Sequence, residues 1–128
     1  MSSEREIVDA PAAPPAIGPY SHAVRADGLL FCSGQIPLDP TTGEIVGDTP
    51  GEQARRCLEN LSEVCAAAGT SLARAVRLTI YTTDLGAFAQ INDVYGSFFG
   101  DAPPARAAVG VAALPKGSLV EIDAIVAL

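Results

Sequence analysis

Three charged side chains stand out in the last quarter of the chain, which is otherwise largely apolar. Arg106 opens one apolar stretch, and Glu121 and Asp123 lie in a second one, across the turn at residues 114–117. Strand side chains alternate between the two faces, so Glu121 and Asp123 should share one face; counting alone does not place Arg106. The residues after Arg106 are small, and a guanidinium fork matches the two oxygens of a carboxylate. The pattern therefore indicates a site for a small carboxylate.

A simpler interpretation of the same residues needs no ligand. An arginine and a glutamate on neighbouring strands often form a partly solvated cross-strand pair. On spacing alone this arrangement is the commoner one, so the charges by themselves leave both interpretations open.

The motifs around these charges resemble those of the Rid family (reactive intermediate deaminase, also called YjgF). The C-terminal signature comprises residues 104–106 (PAR), 114–116 (LPK) and 120–122 (VEI). Two further matches lie upstream, at residues 16–21 (AIGPYS) and 33–37 (SGQIP). The resemblance extends from about residue 12 to the C-terminus with no obvious large insertion.

The resemblance implies hydrolysis of reactive 2-imino acids, such as 2-iminopropanoate and 2-iminobutanoate, to 2-oxo acids and ammonia. Arg106 would bind the carboxylate, Glu121 would hold or deprotonate the attacking water, and Tyr20 would complete these contacts. No metal or other cofactor is expected. The resemblance also implies further substrate-binding positions, which are Ser33, Gly34, Asn92 and Ala108.

Ala108 is a departure from the family pattern. Many Rid proteins have a cysteine two positions after the arginine, where this chain has alanine. A thiol at this position cannot be essential if the chain shares the activity, although backbone groups could still bind the imine nitrogen. The change also leaves room for a different imine preference or for weak activity.

Length and composition indicate one globular domain. The chain has 128 residues, of which 48% are hydrophobic and 18% charged, enough to bury about two thirds of the unfolded surface. Residues 1–15, polar and then rich in alanine and proline, are predicted to be a flexible lead-in to a single domain at 16–128. No stretch approaches the ~20 apolar residues of a membrane helix.

The net charge indicates which partners to expect, and the cysteines indicate the cellular compartment. The net charge of −7 and the absence of a basic cluster argue against nucleic-acid binding. Three cysteines without CxxC spacing indicate free thiols in a reducing compartment, and the N-terminus lacks a secretory signal, so we expect a cytoplasmic protein. His22 is the only histidine; we expect it to face solvent, with no metal or catalytic role.

The periodicity predicts an α+β fold with the order β-β-α-β-α-β-β. Strands at 21–25 and 29–33 flank an Asp-Gly turn, and a third strand spans 76–82. One helix begins with a capping box at Thr49 and Glu52 and ends at Gly69, and a second spans residues 85–99. The two helices should cover one face of a mixed sheet, with Cys57 and Cys65 as core residues.

The other face of the predicted sheet remains partly apolar. Leu119 and Ile125 lie there beside Glu121 and Asp123, so association between copies is expected. The resemblance implies a homotrimer whose sheets form a central barrel, with one pocket at each of three subunit interfaces.

Two other functions stay open at this stage. One is a trimer that binds small carboxylates, or acts like a chaperone, without turnover. The other is an endoribonuclease or translation inhibitor, an activity attributed to some relatives, which the acidic charge and the single histidine disfavour.

Overall fold

The computed structural model describes residues 4–128; residues 1–3, part of the predicted lead-in, lie outside the described residues. The strands and helices, in chain order, are β1 (Glu6–Val8), β2 (Ala23–Ala26), β3 (Leu29–Gln35), α1 (Pro50–Ala67), β4 (Ala75–Thr82), α2 (Phe88–Phe99), β5 (Ala105–Gly110) and β6 (Val120–Ala127). Short 3-10 turns occur at Leu72–Arg74, Leu85–Ala87 and Pro115–Gly117. Within residues 4–128, neither helix has the length and apolar character needed to cross a bilayer.

The strands form one mixed sheet, which confirms the predicted α+β class. Their order is β1-β2-β3-β6-β4-β5, and every neighbouring pair is antiparallel except β4 and β5. The predicted elements are all present, and β1 is an additional one. The last helix is shorter than predicted, because residues 85–87 form a 3-10 turn before α2 begins.

The expectation that the last two strands are neighbours is wrong. β4 lies between β5 and β6 and pairs with both of them. The reason is the helical crossover: a strand that follows β4 through α2 returns parallel to β4 and beside it. β6 then pairs with the other edge of β4, so the turn at 114–117 connects strands that do not touch.

Both helices pack on one face of the sheet and form the core with it. The predicted capping box of α1 is present, with Thr49 and Glu52 each bonding the backbone of the other. Cys57 and Cys65 are buried on α1, as predicted, and Cys32 is buried on β3. The alternating side chains of β6 that face the helices are Val120, Ile122, Ala124 and Val126, and all are buried.

Where it is described, the N-terminal segment predicted as a lead-in packs against the rest of the domain. β1 pairs with β2 at the edge of the sheet, and Ala10 and Ala13 are buried. The composition of the segment gave no signal for this, because an edge strand of three residues is held mainly by backbone hydrogen bonds.

His22 attaches the N-terminal segment to the rest of the domain. The expectation that the His22 side chain faces solvent is wrong. Its ring is buried; Nδ1 accepts the Ala10 N–H at 3.0 Å and Nε2 donates to the Pro14 carbonyl at 2.8 Å. These two bonds require the neutral ring with its proton on Nε2. The histidine therefore ties down the chain that leads to Ile17 and Tyr20.

We expect His22→Ala to lower the free energy of unfolding by about 1–3 kcal/mol, because it leaves a buried N–H and a carbonyl without partners. Urea denaturation followed by circular dichroism measures this change. His22→Gln, which keeps one acceptor and one donor, should lose less. A midpoint for His22→Ala equal to that of the wild type would contradict the assigned role.

Candidate active site

An open cavity of about 240 Å³ brings four of the predicted site residues together. It lies over the sheet face that the helices leave uncovered, at the junction of β3 and β6. We call this group the glutamate half-site; its lining residues are Ile17, Tyr20, Ser33, Gly34, Ile36, Pro115 and Glu121.

Gly34 lies where the β3 backbone meets the Glu121 carboxylate. The pairing of β3 with β6 shifts register between Cys32 and Gln35, which indicates a bulge at Ser33 and Gly34. A Cβ at position 34 would lie 3.0 Å from the Glu121 Cδ and would overlap Oε2. A side chain at position 34 would therefore displace the Glu121 carboxylate, which packs directly on the backbone of Gly34.

Ser33 anchors the backbone at residues 21 and 22 through two hydrogen bonds. Its hydroxyl donates to the Ser21 carbonyl at 2.6 Å, and its backbone N–H donates to the His22 carbonyl at 3.0 Å. These bonds fix the segment that follows Tyr20. The hydroxyl oxygen keeps lone pairs that can still accept a hydrogen bond from a ligand.

Tyr20 reaches the cavity from a tight turn. Its backbone N–H donates to the Gly18 carbonyl, and its phenol oxygen accepts the Ile17 N–H at 3.2 Å. The ring is 44% exposed. Because the phenol oxygen acts as the acceptor in this bond, its O–H proton can be donated into the cavity.

Glu121 is a half-buried carboxylate with a modified proton affinity. Burial, and then the negative charge of Asp123, raise the pKa of Glu121 above its ordinary value. Asp123 in turn accepts the Tyr81 hydroxyl at 3.1 Å. A carboxylate with a raised pKa is a stronger proton acceptor once it is ionised, which suits activation of a water molecule.

Arg106 belongs to a second group of residues, on the other face of the sheet. β5 pairs Arg106 with Leu78, whose side chain is buried under the helices, whereas Glu121 pairs with Tyr81 on the uncovered face. Ala108 follows Arg106 on the same face and is exposed. We call Arg106, Ala108 and Asn92 the arginine half-site.

The Arg106 guanidinium contacts three side chains of helix α2. Its Nη1 donates to Asn92 Oδ1 at 2.7 Å. Its Cζ lies 4.9 Å from the ring centre of Tyr95 and 5.2 Å from that of Phe88. Asn92 thus contacts the arginine, not the cavity over Glu121.

The contacts of Phe88 and Tyr95 with Arg106 were not anticipated from the sequence. The spacing of Phe88, Asn92 and Tyr95 places all three on one face of α2. This spacing is the signal that could have linked them to the arginine.

Within one copy of the chain, Arg106 and Glu121 do not lie in the same site. The two side chains lie on opposite faces, with β4 between their strands, and within residues 4–128 they form no ion pair. The cross-strand pair considered from the sequence is therefore wrong.

Comparisons with known proteins agree with the motifs. Residues 10–128 match the family model described as Endoribonuclease L-PSP. The chain is 55% identical to Protein DfrA of Myxococcus xanthus, with 94% of each chain covered. It is 44% identical to the 2-iminobutanoate/2-iminopropanoate deaminase of Mus musculus, over 94% of this chain and 90% of that protein.

A solved structure is similar to this chain in fold as well as in sequence. The crystal structure of E. coli TdcF with bound serine has a TM-score of 0.90 and 44% identity, covering 96% of this chain and 98% of that chain. With the family model and close relatives matched over nearly the whole length, the chain belongs to the Rid family, also called YjgF.

Proposed function

We propose that this protein hydrolyses small 2-imino acids to 2-oxo acids and ammonia. The observation that carries the proposal is the cavity over Glu121, which offers a carboxylate of raised pKa, a phenol hydroxyl and the bare backbone of Gly34. Its volume suits an acid of a few carbon atoms. The name of the mouse relative, a 2-iminobutanoate/2-iminopropanoate deaminase, supports the same substrate class.

The proposed site is completed between copies of the chain. The glutamate half-site of one copy would face the arginine half-site of its neighbour, which gives three equivalent sites in a homotrimer. Exposed apolar side chains support association: Phe31, which is 42% exposed, and Val109, which is 39% exposed, lie on the sheet face that carries Glu121. We expect the trimer to act in the cytoplasm, because free thiols such as Cys32, Cys57 and Cys65 persist in a reducing compartment.

In this site Arg106 binds the substrate carboxylate. Asn92 occupies one of its N–H groups, and a guanidinium has five, so a pair remains for two carboxylate oxygens. This contact holds the C=N bond over the Glu121 cavity. Among the described residues, no cationic side chain of the same copy lines that cavity, so a carboxylate ligand there would depend on Arg106 of the neighbouring copy.

Glu121 moves the proton in the hydrolysis. It accepts a proton from water as the water oxygen bonds to the carbon of the protonated imine, whose C=N electron pair moves to nitrogen. The same carboxyl returns the proton to the nitrogen of the tetrahedral intermediate. The C–N bond then breaks and ammonia leaves, while the hydroxyl oxygen forms the C=O bond of the 2-oxo acid and gives its proton to the Glu121 carboxylate, which releases it to solvent or to the departing ammonia. The Tyr20 hydroxyl orients the water or the carboxylate through its free proton.

The test of this function generates iminopropanoate and iminobutanoate in situ with an amino-acid oxidase. Loss of the imine, trapped by semicarbazide or followed by its absorbance, is measured with and without the protein. Acceleration above the rate in buffer, proportional to protein concentration, is the expected result. A rate equal to that in buffer for both imines would refute the deaminase function.

The pH dependence of kcat/KM should report the ionisation of Glu121. The active form is the carboxylate, so the rate rises as pH increases through the pKa. The negative charge of Asp123 disfavours ionisation of Glu121. Asp123→Asn removes that charge and lowers the pKa of Glu121, so we expect the acid limb of the pH profile to move to lower pH. Asp101→Asn removes the same charge at an exposed position and should leave the acid limb at the wild-type pH. An acid limb unchanged by Asp123→Asn would contradict this electrostatic coupling.

One other function has specific support, which is binding of small carboxylates without turnover. The relative solved with bound serine is consistent with it, and Ala108 lacks the thiol that is common in the family. An endoribonuclease is disfavoured, although the family model carries that description. The chain has a net charge of −7, and its one histidine is buried as a structural clamp.

A further inference from the structure

We infer that Phe88 and Tyr95 are positioning residues for Arg106: with Asn92, they orient the guanidinium before a ligand arrives and so set the affinity of the site for carboxylates. This inference rests on the proposed function for its kinetic consequence only. The orientation of the guanidinium can be measured whether or not the protein hydrolyses imines.

The geometry of the arginine is unusual for an exposed side chain. An exposed arginine on an edge strand ordinarily samples many rotamers, which a bound carboxylate would have to restrict. Here three groups of α2 meet one guanidinium: the Asn92 amide oxygen at 2.7 Å from Nη1, and two ring centres at 4.9 and 5.2 Å from Cζ. Both ring distances lie within the ~6 Å range of cation–π attraction.

The supporting rings are themselves held firmly. Tyr95 is buried, and its ring centre lies 4.7 Å from that of Phe99, which makes no cation–π contact with Arg106 among the described residues. Phe88 packs against the same core. Packing in the core of the domain therefore positions the guanidinium, and the side chains that transmit this effect do not line the cavity over Glu121.

The contacts also determine which part of the arginine a ligand can reach. Asn92 takes one N–H, and the rings lie near the guanidinium carbon, so a carboxylate must approach the remaining N–H groups. Asn92 accordingly has a different role from the substrate contact expected from the sequence: it orients the group that binds the substrate.

The test uses the full chain in its native assembly and compares Tyr95→Leu with Phe99→Leu. Tyr95→Leu removes the ring beside the guanidinium, whereas Phe99→Leu perturbs the same aromatic cluster without touching Arg106. We expect Tyr95→Leu to weaken the binding of pyruvate, measured by calorimetry, by about 2- to 30-fold. KM for the imine should rise equally while kcat changes less than twofold.

Two further variants separate positioning from general destabilisation. Phe99→Leu should lower Tm and leave the affinity for pyruvate unchanged. Tyr95→Phe restores the ring and should recover the affinity lost in Tyr95→Leu; it removes a buried hydroxyl that has no hydrogen-bond partner among the described residues. Equal loss of affinity in Tyr95→Leu and Phe99→Leu would overturn the inference.

Nitrogen-15 NMR of the Arg106 guanidinium gives a readout independent of any ligand. In the wild type the Nη signals should show hindered rotation, and in Tyr95→Leu they should average. A freely rotating guanidinium in the wild type would overturn the inference. Hindered rotation without imine hydrolysis would instead refute the proposed function and leave the positioning role established.

Discussion

Arg106→Ala is expected to lower kcat/KM for iminopropanoate and iminobutanoate by about 100- to 10,000-fold. The side chain provides two charge-assisted hydrogen bonds to the substrate carboxylate, each contributing about 1.5–3 kcal/mol. The net negative charge of the chain makes this loss severe, because no long-range attraction for an anion replaces the local cation. Pyruvate binding, measured by calorimetry, should disappear with the activity.

The matched control for this variant is Arg55→Ala, an exposed arginine on α1 that lies outside both half-sites. It changes the net charge equally and should keep the wild-type rate. Arg106→Lys preserves the charge but not the two-pronged fork, so it should recover only part of the activity. Rates for Arg106→Ala equal to those of the wild type would exclude Arg106 from the site.

Glu121→Gln is expected to lower kcat by about 100- to 10,000-fold, the usual contribution of a general base. Glutamine has nearly the same shape, so the packing against Gly34 should persist and pyruvate should bind within a few-fold of the wild type. This separation of turnover from binding distinguishes an enzyme from a carboxylate carrier. Glu63→Gln, on the exposed face of α1, is the matched control. Full activity of Glu121→Gln would exclude the carboxylate as the base.

Mixing the two inactive variants tests whether each site is shared between copies. In oligomers assembled from Arg106→Ala and Glu121→Gln chains, some interfaces combine the intact arginine of one chain with the intact glutamate of another. Random assembly of equal amounts should restore about a quarter of the wild-type activity. If both groups acted within a single chain, mixing would restore none.

Several features of this protein are encoded locally and could be predicted from the sequence. The capping box at Thr49 and Glu52, the Asp-Gly hairpin turn, and the alternation along β6 each depend on residues a few positions apart. The family motifs likewise identified Tyr20, Ser33, Gly34 and Glu121, which the structure places around one cavity. Such signals are readable because propensity, capping and turn geometry act over one or two turns of chain.

Other features depended on the order of the strands. The registers in which β5 and β6 pair with the two edges of β4 place Arg106 and Glu121 on opposite faces. Counting along β5 could not reveal this, because the face of a strand is defined only by its neighbours and by what covers them. The order of strands in a sheet depends on crossovers, which are contacts between distant parts of the chain.

The amino-acid sequence by itself indicated the family, every helix and strand except β1, and the chemical groups of the candidate site. The tertiary structure decided how those groups are divided: Glu121 against the Gly34 backbone in one half, and Arg106 held by Asn92, Phe88 and Tyr95 in the other. It also assigned His22 to the core. The physical reason is that side-chain chemistry is a property of each residue, whereas burial, facing and hydrogen-bond partners arise only when distant segments pack together.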